Sequence, residues 1–444
     1  MNKNVSLKYI NKLAVPALIA GISEPILSIT DTAIVGNVNV NPVESLAAVG
    51  IVGTFLSMLI WILGQTRSAI SAIVSQYLGA NNLNAVKNLP AQAIFIVTSL
   101  SLFIIASTYP FAKEIFKLYN ASDLILDYSV MYYKIRVFGF PFTLFTIAVF
   151  GTFRGLQNTY HPMIIAIIGA TTNIILDFIL VYGISGYITP MNIEGAAYAS
   201  VIAQILMALC SGYFLLKKTS IPLLPTFPFN KEIKRFIGMI LNLFIRTLAL
   251  NITLYFATRF ATGYGKNYIA AYTIGINLWF LGAFIIDGYA GAGNIMSGRL
   301  FGAKNYKDLV NLNKKLIKIG LIVGCALTLA GFIIYKPIGL LFTKEPEVLE
   351  RFYSVFWIVL IMQPICSIAF IFDGIFKGLG KMGTLRNVLL LATFLVFIPI
   401  LYGLDYLDFK LNGIFIALTF WMIARALPLL INFRKQFIPL AKNN

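Results

Sequence analysis

Long apolar stretches and short polar links alternate along the whole chain. Apolar runs lie near Lys8–Gly36, Leu46–Ser75, Ala91–Pro110, Tyr128–Gly151, Met163–Gly183 and Gly195–Leu216. Six more follow near Phe236–Thr262, Tyr268–Met296, Leu316–Tyr335, Val355–Phe376, Val388–Leu404 and Gly413–Phe433. They run from 17 to 30 residues, long enough to cross a hydrocarbon core as a helix. Open sheet edges are not viable in hydrocarbon, so the pattern predicts an all-α integral membrane protein with twelve transmembrane helices. The links leave no room for a soluble catalytic domain.

The two sets of six runs are copies. VSQYLGANN (Val74–Asn82) resembles SGRLFGAKN (Ser297–Asn305), and FRGL (Phe153–Leu156) resembles FKGL (Phe376–Leu379). Gly79 thereby matches Gly302 and Gly155 matches Gly378, both at an offset of 223. Ala47-Ala48 against Ala270-Ala271 and Pro141 against Pro364 keep the same register. Chance matches would not hold one offset for more than a hundred residues. Two pseudo-symmetric six-helix lobes are expected, residues 1–216 and 236–444, joined by a basic, Pro-containing linker at 217–235. Such a tandem suits a transporter that rocks one repeat against the other around a central site.

Composition agrees and charge adds orientation. The chain is 59% hydrophobic and 12% charged, against about 25% charged in soluble domains. The formal charge of +18 raises the question of nucleic acid. However, 22 basic residues fall at the termini and on one set of alternate links, and seven on the other. That is the positive-inside asymmetry, with both termini cytoplasmic and no nucleic-acid partner. Cys210, Cys325 and Cys366 are isolated in apolar runs, with no metal or disulfide spacing. The basic start reads as an uncleaved first helix, because Glu24, Pro25 and Asp31 interrupt its apolar run. No G-x-x-x-x-G-K-[ST] and no G-x-S-x-G occurs, and His161 is the only histidine, so an enzyme is not expected.

Four carboxylates, Asp31, Asp177, Asp287 and Asp373, fall inside apolar spans. A charge at that depth costs about 2.5–3.5 kcal/mol on insertion scales, so each needs a partner, an ion or a proton. Burial disfavours the charged form of a carboxyl, which suits it to carry a proton. Asn173 and Asp177, four residues apart, share one helical face. With Thr171, Thr172 and, from the next helix, Ser200, they make an oxygen cluster suited to a small cation or a proton, or else a staple between helices. Asp31 follows Pro25, which removes a backbone hydrogen bond and permits a bend, and Glu24 lies on nearly the same face. Protonation of Asp31 would then bias a two-state helix, the alternative being a plain interhelical ion pair. At the offset of 223, Asp31, Asn173 and Asp177 land on Leu254, Val396 and Ile400, so the second half lacks the cluster. There, Arg246, Asn251 and Arg259 are embedded, with Asp373 four residues before Lys377 and Asp287 a candidate partner for Arg246.

The segments EPILSITDTAIVG, LAAVGI, VSQYLGANN, FRGLQNTYHP, NIILDFILVYG, EGAAYAS, FIRTLAL, IIDGYAGAGN, SGRLFGAKN and FKGLGKMGTLRN together resemble the multidrug and toxic compound extrusion (MATE) transporters, in particular their DinF-type branch. The resemblance implies two lobes forming a V-shaped cavity, and export of amphipathic, often cationic compounds against inward H⁺ or Na⁺. It implies a cation site at Asp31, Asn173, Asp177 and Ser200, where Ser200 stands for the family's threonine, and a cavity lined by Tyr132. Asp373 matches a carboxylate used in the NorM branch, whose partner acid in the seventh helix has no counterpart in FIRTLALNITLYF. The expected protein is a monomeric antiporter of a bacterial plasma membrane, surrounded by lipid, with no cofactor beyond its coupling ion, H⁺ or Na⁺. Glu24, Asp287, Asp373 and Arg246 complete its candidate substrate cavity. The alternatives are a lipid-linked oligosaccharide flippase of the same superfamily, and a channel or membrane scaffold. A flippase cavity should be strongly basic to hold pyrophosphate, whereas acids outnumber bases around Asp31 and Asp177.

Overall fold

The computed structural model describes residues 5–38 and 40–442, with the side chains of residues 23–29 outside the described set. Among the described residues the chain is helical apart from its links and one isolated antiparallel bridge between Ile184 and Ile188. Eleven spans are long and apolar enough to cross a membrane: Pro42–Gly79, Leu83–Thr108, Asp123–Gly155, Tyr160–Tyr182, Asn192–Lys218, Ile233–Gly263, Lys266–Gly302, Tyr306–Ile333, Pro346–Gly378, Met382–Tyr406 and Lys410–Lys442. The first helix, Leu7–Val35, has 29 residues and reaches about 43 Å at 1.5 Å per residue. It therefore completes the expected twelve by length, and the spans are numbered in chain order from it.

Four spans depart from plain α-helix, the third by opening with a 3-10 turn over Leu83–Val86. The second breaks at Gly64-Gln65, where Thr66 donates to the Leu63 carbonyl at 2.6 Å and restarts the helix. The fourth tightens to a 3-10 turn over Val137–Gly139, and the eleventh widens to a π segment over Ala392–Phe397. π segments are rare and recur where a side chain must be re-aimed.

The chain forms two compact units. The first-repeat unit holds Ile19–Val74 and Asn82–Ile237. The second-repeat unit holds the chain up to Leu18, Ser75–Asn81 and everything from Gly238 on. Each has its own apolar core, built around Val52, Phe116 and Tyr133 in the first and around Phe352, Phe415 and Trp421 in the second. The link after the sixth span belongs to the first-repeat unit. Gln92 donates to the carbonyls of Thr226 and Pro228 and accepts from the Asn230 amide at 2.8 Å.

Glycine contacts repeat at the sequence offset. Gly151 abuts the backbone of Arg67, and its offset partner Gly374 abuts the backbone of Ala290. Gly155 lies on Val74 and Ser71, and Gly378 on Ser297 and Asn294, again pairs in the same register. A Cβ at any of these glycines would collide with its neighbour, so close helix approach demands the missing side chain. Within the second-repeat unit, Gly79 packs on the Arg299 carbonyl and Gly302 on that of Gln76, a reciprocal crossing of equivalent residues. This crossing holds Ser75–Asn81 in that unit, and Gln76 reinforces it by donating to the Gly378 carbonyl at 2.7 Å.

Candidate functional site

The first-repeat unit brings one residue set together from three spans. Asn173 and Asp177 project from one face of the fifth span, Asp31 from the first and Ser200 from the sixth, all buried. The fifth and sixth spans approach closely because Gly195 lies on the Leu180 carbonyl, with no room for a side chain. The Asn173 amide donates to Asp31 Oδ1 at 2.9 Å and to Asp177 Oδ2 at 2.5 Å, and Ser200 Oγ donates to Asp31 Oδ2 at 3.2 Å. One amide thus bridges two carboxylates that lie far apart in sequence. Asp177 Oδ1 is buried with no hydrogen-bond partner. A carboxylate oxygen left bare in such a place is expensive unless a proton or cation meets it.

Tyr132 is buried in the fourth span beside this set, with the half-buried Arg136 one turn further on. The Arg136 guanidinium lies beside the Tyr132 hydroxyl and within electrostatic range of both Asp31 and Asp177, and its Nε has no partner. The sequence reading missed Arg136. Its signal was available, as one guanidinium in the run MYYKIRVFG. Of the residues expected near the cluster, Thr171 is exposed, and neither it nor Thr172 bonds to the carboxylates. Glu24 lies outside the described side chains. Among the described residues no group of three or more His, Cys, Asp or Glu converges on one point. The oxygens of two carboxylates, one amide and one hydroxyl are hard donors that a proton or a small cation could meet.

The second-repeat unit carries a different constellation. Asp373 takes its close ion pairs from Arg246 and Arg425, while Lys377, the local partner that spacing had offered, acts on it more weakly. Arg246 and Arg425 both donate to Asp373 Oδ2, Arg425 at 2.9 Å. The expected pairing of Asp287 with Arg246 is not formed. Asp287 is exposed, and the Arg246 guanidinium is taken by Asp373, which lies on the tenth span within its reach. Arg425, buried over the Trp421 ring at 4.6 Å, was also missed, although it interrupts the apolar run FWMIARALPLL.

Where the repeat would put a copy of the first cluster, neutral groups stand instead. Thr253 and Thr393 share a hydrogen bond of 2.9 Å, and Trp421 Nε1 donates to Thr393 Oγ1 at 3.2 Å. Thr393 sits on the π segment. The three lie within a few positions of the offset partners of Asp31, Asn173 and Ser200, with no charge among them.

Comparison with known proteins matches these features. The sequence model of the MatE family fits the chain twice, over residues 16–179 and 239–402, so that both ends of the second match keep the repeat offset from the first. The chain is 29% identical to Protein DETOXIFICATION 43 of Arabidopsis thaliana over 67% of its own length, and it spans 55% of that protein. It is 25% identical to DNA damage-inducible protein F of Escherichia coli, covering 96% of this chain and 91% of the relative. Its fold matches the crystal structure of the Vibrio cholerae MATE transporter VcmN in the bent form with a TM-score of 0.89, at 20% identity, over 98% of this chain and 97% of that one.

Proposed function

This chain belongs to the MatE family of membrane transporters, and from that premise we propose that it is a secondary antiporter exporting amphipathic or cationic compounds in exchange for H⁺ or Na⁺. The observation that carries the coupling is the Asn173 amide bridging Asp31 and Asp177 in a buried place. Two carboxylates face one amide, one hydroxyl and the flanking Arg136, so the set has one negative charge left over. One proton or one monovalent cation balances it. Because Asp31 belongs to the first span and Asp177 to the fifth, taking up the cation ties those spans together and releasing it loosens them. Each state would expose the substrate site to a different side, which is how a gradient does work on a second solute. Tyr132 borders the set and is a candidate for substrate contact.

The detoxification name of one relative supports drug or toxin export, and the first-repeat site, with more acids than bases, is itself unsuited to hold a pyrophosphate. The protein would act as a monomer in a bacterial plasma membrane, with termini and basic links in the cytoplasm. Proteoliposomes with pH and Na⁺ gradients imposed separately test this reading. Uphill export of a fluorescent cationic dye should follow one gradient and collapse with it. Export indifferent to both gradients, or flux that does not saturate, would overturn antiport.

A further inference from the structure

We propose that the Arg246, Arg425 and Asp373 cluster of the second-repeat unit is a binding site for the anionic headgroup of an amphipathic substrate. The proposal rests on the transporter reading above and extends it to substrates that carry a negative charge. Two guanidinia share one carboxylate oxygen, which among the described residues leaves one positive charge uncompensated. Such an arrangement is costly without a counter-charge.

The donors outnumber their acceptors as well. An arginine offers five N–H groups. Among the described residues, Arg246 makes one hydrogen bond, to Asp373, and its buried Nε has no partner. Arg425 gives Nη2 to Asp373 and Nη1 to Met422 Sδ at 3.2 Å, a weak acceptor. One further carboxylate or phosphate would bring the set to two guanidinia and two anions and would occupy these donors in fork geometry. Its neighbourhood suits an apolar tail, since Arg425 lies over Trp421 at 4.6 Å and Phe370 at 5.5 Å. The Arg246 and Asp373 side chains keep 8% and 9% of their surface exposed, and Arg425 keeps 2%.

Full-length protein in phosphatidylcholine nanodiscs would be titrated with 1-pyrenebutyrate and, in parallel, with pyrenebutyl-trimethylammonium, reading energy transfer from tryptophan to pyrene. The two probes share a tail and differ in headgroup charge. Arg246→Gln should weaken binding of the carboxylate about tenfold or more and leave that of the ammonium unchanged. This variant keeps a one-to-one Arg425–Asp373 pair, so folding is preserved and is checked by gel filtration. Arg425→Gln should act in the same direction. A carboxylate affinity unchanged in Arg246→Gln, or one that falls no more than that of the ammonium, overturns the proposal. Repeating the titration with phosphatidylglycerol discs separates the sources of the headgroup. Displacement of pyrenebutyrate there assigns the site to a lipid headgroup, and unchanged binding assigns it to a soluble amphipathic anion. Binding is read without any gradient, so loss of coupled export with the Arg246-dependent carboxylate binding intact would sink antiport alone.

Discussion

The two units start from one duplicated scaffold and end with opposite buried charge. In the first-repeat unit two carboxylates gather around one amide, with one arginine beside them. In the second-repeat unit two arginines gather around one carboxylate, while the positions that would repeat the first cluster hold Thr253, Thr393 and Trp421. Helix packing, by contrast, is kept. The approaches at Gly151 and Gly155 recur at Gly374 and Gly378. Duplication thus preserved the close helix crossings, which tolerate no added atom, and left the polar interior free to diverge. A site can be rebuilt by changing a few side chains, whereas a crossing that fits only glycine cannot move without shifting a whole helix.

The largest expected effect tests the charge count in the second-repeat unit. Asp373→Asn strands two guanidinia and should cost about 3–5 kcal/mol of stability, whereas Arg246→Gln leaves a balanced pair and should cost well below that. Steric trapping in detergent would measure both, and a greater loss for Arg246→Gln would mean that the cluster is not short of negative charge.

Transport measurements should then separate the units. Asp31→Asn removes the charged acceptor of two hydrogen bonds and should lower gradient-driven export by about a hundredfold or more while the protein still folds. Asp177→Asn should weaken coupling about as much as the double variant does, because groups that serve one site do not add. Additive losses for Asp31 and Asp177, at matched membrane expression, would place the coupling site elsewhere.

Two smaller effects sharpen the comparison. Gly151→Ala and Gly374→Ala overpack equivalent crossings and should each cost about 1–3 kcal/mol, to a similar extent. A clear difference in melting temperature between them would show that the scaffold has diverged too. Ser200→Ala should weaken the coupling cation by about 1 kcal/mol, while Thr393→Val should lose about 1 kcal/mol of stability and leave coupling unchanged. Altered ion dependence in Thr393→Val would give the neutral set a transport role that its charge does not predict.

Much of this organisation was written along the chain. The spans, the constant repeat offset and the pairing of Asn173 with Asp177 depend on hydropathy and helical spacing, which act over a few residues and survive as a pattern. So does the absence of a second copy of the cluster. Only the tertiary structure decided that Asn173 also reaches Asp31, 142 residues away, and that Ser200 closes the other side. It also gave Asp373 to Arg246 and Arg425 ahead of Lys377, left Asp287 exposed and brought Arg136 beside the carboxylates. The reason lies in the solvent. In water an amphipathic stripe tells which face of a helix is buried. In lipid the outer face is as apolar as the packed one, so the rotation and neighbours of each helix are set by small-residue crossings and buried polar contacts between distant segments.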